Sequence, residues 1–432
     1  MIESSPSAGH QPAMVRPALH FTAQEGWIND PVGLTYHHGM YHQFFQYVPS
    51  QTVWSPECRW GHAVSEDLLT WTERDVVLAP GDGDGGCWSG SLVVNGDGAT
   101  IFYTSVQLDD VNIGRIRTAH PEDDTWNRWR KGPMLDGVVP TPDIAVFRDP
   151  QVTRYADGWR MLVGAGRNDE TATAMAYTSS DLKTWTSDGE FASRSSAERD
   201  PIWTGLVWEC PQLISLGDKH ALLFSVWEPR IPYYEAYAIG QLISGDFVVE
   251  RWGRLSYGDA YYAGSTFADA DGRAGLIYWL RGIGDSQDRW AGAHSLPHLL
   301  RLDIDGVLIA EPHPNIAKRR HRKVRVDPDL NHTGLPPVAD LEWSIGSSKQ
   351  ASLTVLSADG EVLARMYSDD FLLQVTVGEK SWQMPSTEQV RLIIDGPILE
   401  LFSDSGVMAV ALPIAGALAI SISDSACSIY EL

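Results

Sequence analysis

The chain has 432 residues, is 43% hydrophobic with 17 Trp, and carries a formal net charge of −23. That length is too great for one small core and suits a large repeat domain with a smaller companion. The acidic balance argues against a nucleic-acid partner, because polyanion binding needs clustered Lys and Arg. Met1–Pro17 lacks an apolar stretch of signal-peptide length, and nowhere do 18 apolar residues run together. The expectation is a cytoplasmic protein without a membrane partner, with residues 1–17 as a disordered tail.

Helical periodicity is scarce, whereas short runs of Val, Ile, Tyr, Phe and Trp recur between turn residues, so the chain reads as all-β. The first motif is Trp27-Ile28-Asn29-Asp30-Pro31. Strand-like runs Gly33–Tyr36 and Met40–Gln46 follow across a His37-His38-Gly39 turn. Ser65-Glu66-Asp67-Leu68-Leu69-Thr70-Trp71 comes next and returns as Ser179-Ser180-Asp181-Leu182-Lys183-Thr184-Trp185, 114 residues later. Thr100–Val106, Trp159–Ala165, Ala221–Trp227 and Gly275–Leu280 are further strand-length runs.

Two more acidic motifs lie among them, Phe147-Arg148-Asp149-Pro150 and Trp208-Glu209-Cys210-Pro211. Asp149 lies 119 residues after Asp30, and Glu209 lies 60 after Asp149. A unit of about 60 residues would bring all three acids to equivalent places and fits radial repetition. About five units fit between residues 18 and 315, so that segment is expected to be a five-bladed β-propeller.

The basic run Lys318–Arg325 lies between prolines at 312 and 314 and at 336 and 337. It reads as part of a connector, residues 316–337, rather than a nucleic-acid patch. Beyond it the texture becomes alternating, in Ala351–Val355, Phe371–Val377, Val390–Ile394, Ile398–Phe402 and Ala417–Ile422, which argues a β-sandwich over residues 338–432.

Paired carboxyl groups across a pocket are what glycosidic cleavage needs, one ionised and one protonated. Asp30, beside the amide donors of Asn29, is the candidate for the ionised member, since hydrogen bonds to a carboxylate lower its pKa. Glu209, between Trp208, Cys210 and Pro211, is the candidate acid, its pKa raised by apolar surroundings and by Asp30. Asp149 would be kept charged if Arg148 meets it. The alternative is that these motifs are turn punctuation, but three aromatic-flanked acids on one ruler favour function.

Cysteines 58, 87, 210 and 427 show no zinc spacing and read as reduced thiols. His37, His38, His42 and His62 around a hairpin read as strand packing rather than metal ligands. Trp54 and Trp88 read as sugar platforms.

These motifs, with Phe45-Gln46-Tyr47, Trp60-Gly61-His62, Trp88-Ser89-Gly90-Ser91, Tyr261-Tyr262-Ala263, Ser295-Leu296-Pro297 and the segment Val390–Phe402, resemble glycoside hydrolase family 32, the invertase, levanase and inulinase group. The resemblance spans nearly the whole chain. It implies a retaining β-fructofuranosidase releasing terminal fructosyl units from sucrose or short fructans. Asp30 would be the nucleophile, Glu209 the acid/base and Asp149 the transition-state stabiliser. Asn29, Gln46, Trp54, Trp88, Ser89 and Arg148 would bind the fructosyl unit. It implies no metal and no organic cofactor.

The sequence departs from the family pattern at Val32, Val48, Ser256, Ala260 and His298, which puts the leaving-group side in question. Fructosyl transfer on the same scaffold and fructan binding without catalysis remain open. So do the preferred linkage, the acceptance of phosphorylated sugars and assembly into a homo-oligomer.

Overall fold

The computed structural model describes residues 15–96, 98–325, 332–346, 350–413 and 416–432. Most of the expected tail, residues 1–14, lies outside the described residues. Its last residues are held in place: the Arg16 guanidinium donates to the carbonyls of Ala23 and Gln24 and to Asp288.

Five antiparallel meanders follow one another along the chain. Blade I is Gly26–His37, Met40–Val48, Arg59–Ser65 and Thr72–Leu78. Blade II is Gly86–Asn95, Gly98–Gln107, Asp110–Pro121 and Trp129–Met134. Blade III is Ile144–Tyr155, Gly158–Arg167, Thr171–Ser179 and Thr186–Ser195. Blade IV is Val207–Leu216, Lys219–Glu228, Ile231–Ile243 and Asp246–Arg254. Blade V is Tyr261–Ala268, Ala274–Asp285, the interrupted pair Trp290–His294 and His298–Leu302, and Leu308–Pro312. The first strand of each blade touches the first strands of its two neighbours, and blade V returns to blade I. These five inner strands surround the axis of a β-propeller. The ring is sewn by a parallel pairing of Gly26 and Trp27 with Trp290 and Ala291.

Every inner strand breaks register with its partner at the same height. The breaks fall at Ile28/Pro31, Trp88/Gly90, around Asp149-Pro150, at Glu209/Gln212 and at Tyr262/Ser265. Such bulges re-aim side chains, and Pro or Gly suits a step that leaves the ladder. Asp149, Cys210 and Ala263 take the left-handed backbone there, with φ of 65°, 48° and 50°. The equivalent of Asp149 in blade IV is therefore Cys210, and Glu209 is the equivalent of Arg148. Counted from the last paired residue, Asp30 is the second residue of its break, Asp149 the first of its own and Glu209 the rung before, so the sequence ruler found the right blades but not one common step for the three acids.

The second ruler marks a repeated loop between the third and fourth strands of blades I and III. Ser65 Oγ accepts from the Leu68 amide at 2.8 Å, and Asp67 from the amides of Leu69 and Thr70. Ser179 and Asp181 make the same bonds to Leu182, Lys183 and Thr184. This side-chain-to-backbone turn needs Ser and Asp at that spacing, which is why the words recur.

The second domain is a sandwich of two antiparallel sheets. One holds Arg322–Arg325, Val338–Ser344, Gln389–Asp395, Ile398–Ser403, Gly406–Ala411 and Ala426–Glu431, and takes Ser256–Gly258 from the propeller onto its edge. The other holds Thr333–Gly334, Ala351–Ser357, Val362–Ser368, Leu372–Val377, Lys380–Pro385 and Leu418–Ser423. Inward residues of both sheets, among them Leu341, Trp343, Leu353, Val375, Leu392 and Leu401, form its core. The opposite face of the first sheet, Ile393, Ile398, Phe402, Val407 and Ala409, packs into the core of blade V. At about 1.5–3 kcal/mol for each fully buried large apolar side chain, this seam holds the two domains together.

The connector expected over residues 316–337 is more structured than a linker. Pro314–Lys318 is a short helix and Arg322–Arg325 is a sandwich strand; residues 326–331 lie outside the described set. Its basic run is committed to acids on both sides. Arg319 pairs with Asp67 of the propeller, Arg320 with Asp340 and Glu342, and Arg322 with Glu431 of the sandwich.

Candidate active site

All nine residues singled out in the sequence, Asn29, Asp30, Gln46, Trp54, Trp88, Ser89, Arg148, Asp149 and Glu209, line one cavity of about 810 Å³ at the propeller axis. A cavity of about 890 Å³ also opens between blade V and the sandwich. Two of its carboxylates, Glu311 and Glu342, are tied to Arg301 and Arg320, so it offers no facing pair of free acids.

The bulge of blade I aims Asp30 at the axis. Asp30 Oδ1 accepts from Asn29 Nδ2 at 3.1 Å and Oδ2 from Ser89 Oγ of blade II at 2.5 Å. The expectation that hydrogen bonds would hold this acid low is not met. Burial pushes its pKa up to about 6; the bonds from Ser89 and Asn29 oppose the rise, and the nearby charge of Glu209 adds to it.

Asp149 is anchored by its backbone amide, which donates to Thr104 Oγ1 at 2.8 Å. Its Oδ2 accepts from the Cys210 amide at 3.1 Å, and the Cys210 thiol lies 3.6 Å from that oxygen and 3.7 Å from Asp30 Oδ2. Cys210 thus stands between two acids as a donor. Burial raises its own pKa well above the ordinary thiol value, which suits a proton donor and not a nucleophile. Burial also raises Asp149 to about 7, against the pull of Arg148.

The guanidinium of Arg148 bonds elsewhere than the sequence suggested. It donates through Nε and Nη2 to Glu209 Oε1 at 3.0 and 2.8 Å, and packs over Trp88 and Trp227. Glu209 Oε2 accepts a short hydrogen bond from the Tyr262 hydroxyl. The apolar pocket expected around Glu209 is therefore a polar clamp, with its side chain 16% exposed.

Aromatic rings build the walls. Trp88 is pinned by its indole N–H on the Pro56 carbonyl at 2.8 Å, and Trp54, 48% exposed, meets it edge-on at 5.8 Å. Gln46 donates to the Cys87 carbonyl at 2.9 Å. Opposite stand Trp27 and Trp279, edge to face at 5.5 Å. Three buried polar atoms of the lining, Trp27 Nε1, Trp279 Nε1 and Asn29 Oδ1, have no partner among the described residues. Two donors and an acceptor in an aromatic cleft match a polyhydroxylated ligand, whose hydroxyls would relieve the ~1–3 kcal/mol cost of each orphan.

Sequence reasoning passed over Trp27, Trp227, Tyr262 and Trp279 as site residues. One signal was readable: each bulge carries Pro or Gly, in Asp30-Pro31, Ser89-Gly90, Asp149-Pro150, Cys210-Pro211 and Ala263-Gly264, and that pattern marks the fifth inner strand although it bears no acid. Among the described residues no group of three or more His, Cys, Asp or Glu could hold a metal ion. His42 and His62 instead stack and bond to each other at 3.1 Å. No helix among the described residues is long and apolar enough to cross a membrane.

A five-bladed propeller with carboxyls at its axis and a sandwich packed on blade V defines the propeller class of glycoside hydrolases. The model of the glycosyl hydrolases family 32 N-terminal domain matches residues 20–312. A sucrose-6-phosphate hydrolase from Zymomonas mobilis is 34% identical over 68% of the chain, which spans 61% of that enzyme's length. A sucrose-6-phosphate hydrolase from Escherichia coli is 28% identical over 90% of the chain and 87% of its own. A Bombyx mori GH32 beta-fructofuranosidase, solved with sucrose, superposes with a TM-score of 0.84 at 26% identity, over 96% of this chain and 93% of that one. The chain belongs to glycosyl hydrolases family 32.

Proposed function

We propose that the chain is a retaining β-fructofuranosidase, with residues 18–315 as its catalytic propeller and residues 338–432 as its sandwich. The observation that carries the reading is the convergence of Asp30 and Glu209, from opposite parts of the ring, on one aromatic pocket with Asp149 between their strands. Relatives named as sucrose-6-phosphate hydrolase and beta-fructofuranosidase support sucrose-type substrates. Four buried free thiols are in keeping with a reducing, cytoplasmic setting.

In this reading an oxygen of ionised Asp30 attacks C2 of the fructosyl unit. The bond from C2 to the leaving oxygen breaks with its electron pair, and Glu209 gives that oxygen its proton. Water then attacks C2, Glu209 takes the water's proton, and the bond to Asp30 reopens to regenerate the carboxylate. Asp149, fixed by its own amide and by Cys210, accepts hydrogen bonds from sugar hydroxyls as positive charge develops. Asn29, Ser89 and Arg148 orient the acids, while Gln46, Trp54 and Trp88 shape the fructosyl pocket. Incubation with sucrose, inulin and levan, with free fructose and transfer products measured separately, tests the reading. Fructose release abolished in Asp30→Asn supports it; no fructose or transfer product from any substrate overturns it.

A further inference from the structure

Blade IV carries another acid, which the reaction above does not use. Glu235 is fully buried on the third strand, where it stands opposite Ser225 of the second strand, which in turn stands opposite Glu209 of the first. Its side-chain bonds cross to blade V. Ser225 Oγ donates to Glu235 Oε2 at 2.7 Å and accepts from the Ala263 amide at 2.9 Å, and the Gly264 amide donates to the same Oε2 at 3.4 Å.

Ala263 and Gly264 form the bulge that follows Tyr262, with Ala263 in the left-handed region at φ 50°. Amides lifted off their ladder need other acceptors when buried, and Ser225 and Glu235 supply them. The fit is close, since a Cβ on Gly264 would lie 3.0 Å from Glu235 Oε1. The carboxyl is itself held in place by the Glu235 amide, which donates to Ser256 Oγ at 2.9 Å. Burial pushes its pKa up to about 8, against the bonds from Ser225 and Gly264. Near neutral pH the group is thus a protonated carboxyl with one accepting oxygen, which a glutamine amide imitates.

The consequence reaches Glu209. Tyr262 is the last paired residue before the bulge, and its hydroxyl bonds Glu209 Oε2. If the bulge shifts, that hydroxyl moves with it, and Glu209 keeps only the hold of Arg148 on Oε1.

We propose that Glu235 is a positioning residue, which holds the blade V bulge through Ser225 so that Tyr262 meets Glu209. Its kinetic consequence rests on the fructosyl-hydrolase reading, whereas its hold on the bulge does not.

Steady-state kinetics on the fructoside that the wild type uses best compare the full chain with three variants. Glu235→Leu keeps bulk without an acceptor, Glu235→Gln keeps the acceptor, and Ser225→Ala removes the link; each is also made in a Tyr262→Phe background. Glu235→Leu and Ser225→Ala should lower kcat about tenfold with KM within about twofold of wild type, because the fructosyl-binding groups lie on other blades. Glu235→Gln should recover most of that loss. In the Tyr262→Phe background the same changes should lower kcat less than about twofold, since the hydroxyl through which they act is gone. Equal losses in both backgrounds, a loss carried by KM, no recovery in Glu235→Gln, or wild-type kcat in Ser225→Ala would each overturn the proposal. Should Glu235→Leu fail to fold, Ser225→Ala decides by the same comparison. Should the wild type hydrolyse no fructoside, the hydrolase reading falls, and amide hydrogen exchange over residues 262–264 decides on Glu235. Exchange at least about tenfold faster in Ser225→Ala, and at the wild-type rate in Glu235→Gln, would uphold its hold on the bulge, and unchanged exchange in Ser225→Ala would end it.

Discussion

The guanidinium of Arg148 grips Oε1 of Glu209 across the boundary between blades III and IV, at 3.0 and 2.8 Å, although its neighbour along the strand is Asp149. The two residues occupy equivalent rungs of adjacent inner strands, each the last paired residue before its bulge. Two N–H donors of one rigid guanidinium converge on Oε1 while the Tyr262 hydroxyl holds Oε2, and a lysine would offer Oε1 a single, more mobile nitrogen. Arg148→Lys is expected to lower kcat/KM for fructoside hydrolysis about 10- to 100-fold with the protein still folded, read by steady-state kinetics beside circular dichroism.

The second clamp on Glu209 is Tyr262. Its ring also packs near Trp279, at 6.4 Å, so Tyr262→Phe deletes the hydroxyl and keeps the packing. A fall in kcat of about tenfold with a melting temperature within a few degrees of wild type is expected. A variant with wild-type kcat would remove Tyr262 from the catalytic arrangement.

In the proposed mechanism Asp30 must be ionised to attack, and burial places its pKa at about 6, with Asp149 at about 7. The acid limb of kcat/KM should therefore lie near pH 6–7 and not near 4, falling tenfold per unit below it; the value belongs to the coupled carboxyls and not to one residue. Ser89→Ala removes a hydrogen bond that favours the ionised form. Its pH–rate profile should shift upward on the acid side, and an unmoved limb would contradict the assignment.

The domain seam holds a buried charge relay. His20 Nδ1 meets Asp395 at 2.8 Å, its Nε2 meets Glu400 at 3.1 Å, and Glu400 also accepts from the Tyr261 hydroxyl at 2.8 Å. Burial pulls the His20 pKa down, but Glu400 and Asp395 outweigh it and raise the value to about 9. A folded-state pKa above the ordinary 6.5 means that the stabilisation is fully present below about 6.5 and is lost as pH rises through 9. Chemical denaturation should show the unfolding free energy declining between pH 7 and 9.5. Glu400→Gln should cost about 3 kcal/mol at pH 7 and flatten that decline.

Much of this arrangement was readable because propeller units reuse local chemistry. The Ser-x-Asp-Leu loop recurs since its hydrogen bonds demand those side chains, and Asp30 and Asp149 both fall within the register break of their inner strands. Spacing alone could not see that Glu209 stands one step before the bulge, because a shift of one residue is smaller than the natural variation in loop length. The partners of Arg148 were hidden for a related reason: its guanidinium crosses to the next blade and bonds a residue 61 positions away, a pairing that adjacency along one strand does not show. Tyr262 lies on an inner strand without an acid and Trp279 on the strand beside it, which left the ruler nothing to mark.

The parallel pairing of residues 26 and 27 with 290 and 291 also dictates an order of events during synthesis. Blade I emerges from the ribosome first, yet the edge beside its inner strand stays unpaired until some 260 further residues have been translated. Contacts this distant in sequence close slowly, and an open strand edge invites association with other chains in the meantime. Asp30, Glu209 and Tyr262 therefore reach their mutual positions in the last stage of folding, and a nascent chain arrested within blade V would hold every carboxyl of the pocket yet lack the ring that brings them together.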